Sequence, residues 1–177
     1  MSAAPAPVIE TGRLRLRGHG LADFDACLAL WGDPEVTRFI GGMPQSAEEV
    51  WARLLRYAGH WSLLDFGFWL VEDKATGRFV GEAGLFDARR DLTPAFGDVK
   101  EAGWALAPTA HGQGYATEAM RAVLAWQDAR FGATPVACMI HPDNAASLRV
   151  AERCGFQTYA RTDYKGAPVV LLQRSQP

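Results

Sequence analysis

His111-Gly-Gln-Gly-Tyr-Ala-Thr117 is the stretch on which the reading of this chain turns. It follows an apolar run ending Trp104-Ala-Leu-Ala-Pro108 and precedes Glu118-Ala-Met-Arg-Ala-Val-Leu-Ala-Trp126, whose spacing predicts a helix over 115–131. A strand that enters a helix through a glycine-rich turn leaves backbone N–H groups unpaired at the helix start, with the positive end of the helix dipole behind them. Gly112 and Gly114 carry no Cβ, so an anion can approach the backbone closely. The loop therefore predicts a phosphorylated ligand. A Walker A loop is excluded, because no Gly-Lys-Ser/Thr occurs in the chain. A dinucleotide fingerprint is weakened, because Thr117 stands where its third glycine belongs and little sequence follows for a second nucleotide-binding half.

Around this loop lie 177 residues, enough for a single domain, 1–177, with a sizeable core. Hydrophobic residues make up 49% and charged ones 21%, which is globular composition rather than disorder. A net charge of -2 supplies no basic field for nucleic acid or an anionic membrane, and neither is expected as a partner. The opening Met-Ser-Ala-Ala-Pro-Ala-Pro lacks the pattern of a secretory signal, and no apolar run nears the ~20 residues of a membrane span. Cys27, Cys138 and Cys154 show no Cys-x-x-Cys spacing, and their odd number fits a reducing compartment. The four histidines show no ligand spacing, so no metal is expected. The expectation is a cytoplasmic monomer or homodimer.

Elsewhere the pattern alternates strands and helices. Arg13, Arg15 and Arg17 alternate with Leu14 and Leu16, as in a strand with one solvated face. Residues 22–31 predict a short helix ending at Gly32. Ser46-Ala-Glu-Glu49 is a capping box opening a helix that sets Val50, Leu54, Tyr57, Ala58 and Trp61 on one face. Strands follow at 67–72 and 79–86, joined by a turn at 73–77, and a third at 99–106 leads into the loop. A strand at 135–140, a helix at 144–153 closed by Cys154-Gly155, and strands at 158–161 and 169–173 complete the chain. This is an α/β (mixed α+β) order: a twisted mixed sheet of six to seven strands with about four helices on its faces. Residues 1–10 are expected to be flexible or loosely attached.

Glu101-Ala-Gly-Trp-Ala-Leu106, Pro108, the loop, His141-Pro-Asp-Asn-Ala-Ala-Ser147 and Glu152-Arg-Cys-Gly-Phe156 occur in one order. Together they closely resemble the GNAT superfamily of acyl-CoA-dependent N-acetyltransferases, nearest its RimJ/RimL-like branch of ribosomal-protein and protein N-terminal acetyltransferases. Thr11-Gly-Arg-Leu-Arg-Leu-Arg17 and Asp33-Pro-Glu-Val-Thr-Arg-Phe39 also look like that branch's opening segments. The resemblance implies acetyl-CoA as co-substrate, its pyrophosphate on the amides of Gly112, Gln113, Gly114, Tyr115, Ala116 and Thr117. His111 stands where the family has Arg or Gln. The pantetheine arm would bond to exposed backbone at Trp104, Ala105 and Leu106, where family strands splay apart. Asn144 matches the residue opening the second CoA-contacting helix, and it also suits an N-cap. Ser147 matches a polar residue near the thioester sulfur.

Acyl transfer to an amine needs a neutral nucleophile, a donor for the developing oxyanion and a proton for the departing thiolate. Glu101 resembles the strand-borne glutamate that serves family members as base, and Glu82 is a second candidate. The family's thiolate-protonating tyrosine would fall at Ala151, so Ser147 is the candidate acid. The implied acceptor is a protein or peptide N-terminal α-amine, with a small amine or a non-catalytic acyl-CoA-binding module as alternatives. An α-amine of pKa ~7.7–8.0 costs only about 1 kcal/mol to deprotonate at pH 7, against roughly 4–5 kcal/mol for lysine. Trp31, Arg38, Phe39, Trp61, Phe66 and Trp69 are possible liners of the acceptor pocket.

Overall fold

The computed structural model describes residues 6–175. Among these are eight strands and five α-helices, one strand more than the upper expectation and one helix more than the four foreseen. Both additions are short: strand β1, Ile9–Glu10, and helix α2, Pro34–Thr37. Neither is long enough to show a period in sequence. Asp33 caps α2 by accepting from the Glu35 N–H at 2.8 Å, and Pro34 sits at its first position. Within the stretch expected to be loosely attached, Ile9 and Glu10 pair with β2, Leu14–Arg17. Trp69 Nε1 donates to the Pro7 carbonyl at 2.7 Å and holds the preceding turn of chain. Residues 1–5, covered by the same expectation, lie outside the described residues.

Helix α1, Phe24–Trp31, ends at Gly32, and α3, Ala47–Leu64, opens on the expected capping box. Ser46 N–H donates to Glu49 at 2.7 Å and Glu49 N–H to Ser46 at 3.3 Å. The remaining elements are β3 (Phe68–Asp73), β4 (Phe79–Phe86), β5 (Lys100–Leu106), α4 (Tyr115–Phe131), β6 (Val136–Ile140), α5 (Ala145–Arg153), β7 (Gln157–Tyr164) and β8 (Ala167–Arg174). They form one sheet in the order β1-β2-β3-β4-β5-β6-β8-β7. Every neighbouring pair is antiparallel except β5 and β6.

Side chains on the two sheet faces alternate, so register fixes which face each residue serves. Leu14, Leu16, Val71, Ala83, Leu85 and Ala102 bury one face against Met120, Val123 and Leu124 of α4 and Ala151 of α5. On the opposite face Ala105 packs with Cys27, Leu30 and Trp31 of α1, Val36 of α2 and Val50 and Leu54 of α3. Burying each large apolar side chain contributes about 1.5–3 kcal/mol, which is what fastens the helices to the sheet. All three cysteines are free and buried. No described helix is long and apolar enough to cross a membrane.

Candidate active site

The parallel pair β5–β6 is joined only at Lys100 with Val136 and Glu101 with Ala137. Beyond Glu101 the strands part, although β5 stays paired with β4 as far as Leu106. One backbone edge of β5, from Ala102 onward, therefore faces a gap rather than a neighbour. Peptide groups on that edge need partners, and an amide-bearing ligand can supply them. This opening cannot be read from apolar pattern, because β6 is an unbroken apolar run and β5 stays largely apolar through it.

The gap leads to the start of α4. Gly112 and Gly114 both lie in the left-handed region, at φ 74° and 78°, where a side chain carries strain. The first hydrogen bond of the helix runs from Glu118 N–H to the Gly114 carbonyl at 3.1 Å. The amides of Tyr115, Ala116 and Thr117 thus precede any intrahelical partner, and no side chain caps them. A Cβ added at Gly112 would meet nothing within 4 Å, so the loop turns its backbone toward open space. These features fit a pyrophosphate.

Both features open into one cleft of about 420 Å³. Trp104, Ala105 and Leu106 line it from β5, and His111, Gly112, Gly114, Tyr115, Ala116 and Thr117 from the loop and α4. Asn144 and Ser147 line it from α5. Asn144 caps α5 by accepting from the Ser147 N–H at 3.1 Å, and Trp104 Nε1 donates to Ser147 Oγ at 3.3 Å across the gap. A hydroxyl that accepts this way keeps its own proton to give. His111 Nε2 lies 3.0 Å from the Leu106 carbonyl. A carbonyl only accepts, so that nitrogen is the donor and the ring buttresses the end of β5.

Three of the expected residues stand elsewhere. Gln113 does not line the cleft: its side chain folds back to the Thr109 carbonyl at 3.0 Å. Glu101 lies outside the cleft at the point of divergence, 5% exposed, with Arg90 Nε 2.6 Å from its carboxylate. Burial pushes this carboxyl above the ordinary range, against the pull of Arg90. Glu82 is fully buried behind Ala105, its cross-strand partner. Of the possible acceptor liners, Arg38 and Phe39 do line the cleft, joined by Glu35, Val36 and Ile40. Trp31, Trp61, Phe66 and Trp69 are core instead, from 0% to 9% exposed. Trp61, Trp69 and Trp126 stack edge to face within that core.

Sequence reasoning missed the residues that hold the loop from behind. Arg13 donates to the Gln113 carbonyl at 2.9 Å and pairs with Glu118 at 2.6 Å, its guanidinium lying over the Tyr115 ring. Tyr115 in turn donates to Asp73 at 2.9 Å. Arg149 and Arg153 line the cleft from α5 and add positive charge. Their spacing of four placed them on one helix face, yet nothing in the sequence told which face met the cleft.

The profile of the acetyltransferase (GNAT) domain family matches residues 13–157. A curated relative from Bacillus subtilis (strain 168), the uncharacterized protein YkkB, is 31% identical over 175 residues, covering 94% of each chain. A solved structure from Bordetella pertussis, labelled a GnaT-family acetyltransferase, is 36% identical with a TM-score of 0.84, covering 96% of this chain and 99% of its own. An acetyltransferase structure from Salmonella typhimurium, described as modifying the N-terminal serine of ribosomal protein L7/L12, shares the fold at 17% identity. Its TM-score is 0.78, covering 97% of this chain and 100% of its own.

Proposed function

The chain belongs to the GNAT acetyltransferase domain family, and from that premise we propose that it moves an acetyl group from acetyl-CoA to the α-amine of a protein or peptide N-terminus. The observation carrying this reading is the single cleft that joins the uncapped start of α4, the unpaired edge of β5 and Ser147. The amides of Gly112 to Thr117, with Arg149 and Arg153 nearby, would hold the phosphates. The free edge around Trp104, Ala105 and Leu106 would bond the pantetheine arm, and a backbone N–H at or beside Leu106 would donate to the oxyanion. Ser147 would give its proton to the departing thiolate. The amine would enter beside α2, past Arg38 and Phe39, on the face that carries Ala105. Register puts Glu82 and Glu101 on that same face, and Glu101 is committed to Arg90.

An α-amine is favoured as acceptor because its deprotonation at pH 7 costs about 1 kcal/mol, which suits a cleft lined by no free carboxylate except the exposed Glu35. The test is thiol release from acetyl-CoA with peptides of varied free N-termini, side-chain lysine peptides and small polyamines. Transfer to peptide N-termini in preference to the other amines is expected. Turnover confined to small amines would overturn the acceptor assignment and leave the donor site standing.

A further inference from the structure

Three arginines line the cleft, Arg38, Arg149 and Arg153, against one carboxylate, Glu35. Arg149 and Arg153 stand on α5, where the donor phosphates account for them. Arg38 stands apart from these. It closes α2, its backbone N–H donating to the Pro34 carbonyl at 3.0 Å, and α2 packs through Val36 with Ala105 of β5. Its charge therefore lies on the face by which the amine would enter. The side chain is exposed, and among the described residues it joins no ion pair. Arg13, Arg17, Arg90 and Arg174 each hold a carboxylate.

The guanidinium is nonetheless placed. It lies over the Phe39 ring at 5.0 Å, and Phe39 packs on His141 at 5.3 Å between centroids. His141 follows the last residue of β6, and its Nδ1 accepts from the Asp143 N–H at 3.1 Å, which fixes the ring. The stack thus ties the end of α2 to the end of the strand that bounds the gap. Contact with a ring satisfies a cation only in part, and it leaves N–H donors whose fork matches a carboxylate. The buried carboxylates of this face are already taken. Glu82 accepts from Trp31 Nε1 at 2.9 Å, Tyr57 OH at 2.7 Å and His19 Nε2 at 3.2 Å, and Glu101 is paired with Arg90. Glu35, one turn before Arg38, is exposed and lines the same cleft. Together they offer an anion for an incoming ammonium and a cation for a carboxylate carried near it.

We propose that Arg38 binds a carboxylate of the acceptor, so that the preferred substrate is a peptide N-terminus with Asp or Glu as its second or third residue. This rests on the acetyl-transfer reading of the same cleft. An extended peptide advances ~3.3–3.6 Å per residue, and a cleft of about 420 Å³ also has to hold part of the donor. Only the first residues of the acceptor therefore enter it, and the carboxylate that Arg38 reads belongs to one of them. Arg38 contacts the acceptor, touches no reacting atom and moves no proton; it selects which amine is presented.

The test is kcat/KM with acetyl-CoA and peptides identical except for Glu, Gln or Lys at the second residue, with a matching set varied at the third. In the wild type the Glu peptide is expected to be about tenfold better than the Gln peptide at one of these positions, with Lys the poorest. That advantage should shrink as salt is raised. Arg38→Gln should bring the Glu and Gln peptides within about twofold of each other, and Arg38→Glu should reverse the order in favour of Lys. If Arg38→Glu does not fold, Arg38→Gln decides. A wild type indifferent to charge at both positions, or a Glu preference that survives Arg38→Gln, would overturn the assignment. So would an Arg38→Gln defect confined to the acetyl-CoA KM, which would place the arginine on the donor. A wild type that acetylates small amines and no peptide brings down the N-terminal reading and this assignment with it. Acetylation of peptide N-termini without regard to charge overturns this assignment alone.

Discussion

Ser147 has its backbone N–H bound to Asn144 and its oxygen accepting from Trp104, while its own proton stays free at the mouth of the β5–β6 gap. That arrangement suits proton donation to a leaving sulfur better than cofactor anchoring. Ser147→Ala is expected to lower kcat on the order of 10² while raising the acetyl-CoA KM much less, as steady-state kinetics at varied acetyl-CoA would show. A KM rise with unchanged kcat would instead make Ser147 a binding residue. The family resemblance pointed to Asn144 and Ser147, and both do line the cleft. It offered Glu101 first and Glu82 second as base, and could not show that Arg90 takes one while Trp31, Tyr57 and His19 enclose the other. Those partners lie 11 to 63 residues away in sequence.

At the scale of elements, the loop into α4 was the most legible part. Glycines at Gly112 and Gly114 and the apolar period beyond them are local signals, and both glycines do adopt left-handed backbone. Gly112→Ala puts a methyl into open space but leaves it in that strained region, at about 1–2 kcal/mol. A melting point lower by a few degrees and a raised acetyl-CoA KM are expected, by thermal unfolding and kinetics together. An unchanged KM would show that the loop backbone does not carry the phosphates. The clamp behind the loop was invisible, because Arg13 and Glu118 are 105 residues apart and only the sheet brings them together. Two- and four-residue elements such as β1 and α2 were missed for a different reason, since neither completes a period.

For the whole molecule, ligand and pH should act on stability in definite directions. A ligand bound only by the folded state at 100 times its Kd adds about 2.7 kcal/mol, or roughly 5–10 °C in Tm for a chain of this size. Acetyl-CoA should produce that shift in thermal unfolding, and truncated analogues without the pyrophosphate should not. Glu82 sets the acid side. Its folded-state carboxyl lies below the ordinary value of 4.5, so the unfolded chain takes up the proton first. Its contribution is therefore full above about pH 4.5 and is lost as pH falls through the folded-state value. Denaturant titrations at stepped pH should show wild-type stability falling more steeply there than in Glu82→Gln; equal slopes would deny Glu82 this role. The sequence by itself determined the glycine-rich turn into α4, the order of the longer elements and the family, because these depend on residues close together along the chain. Only the tertiary structure decided that β5 and β6 part beyond Glu101, that four aromatic candidates are core, and that His19 is brought to Glu82. Each of these depends on which strands become neighbours, and local pattern carries no information about distant partners.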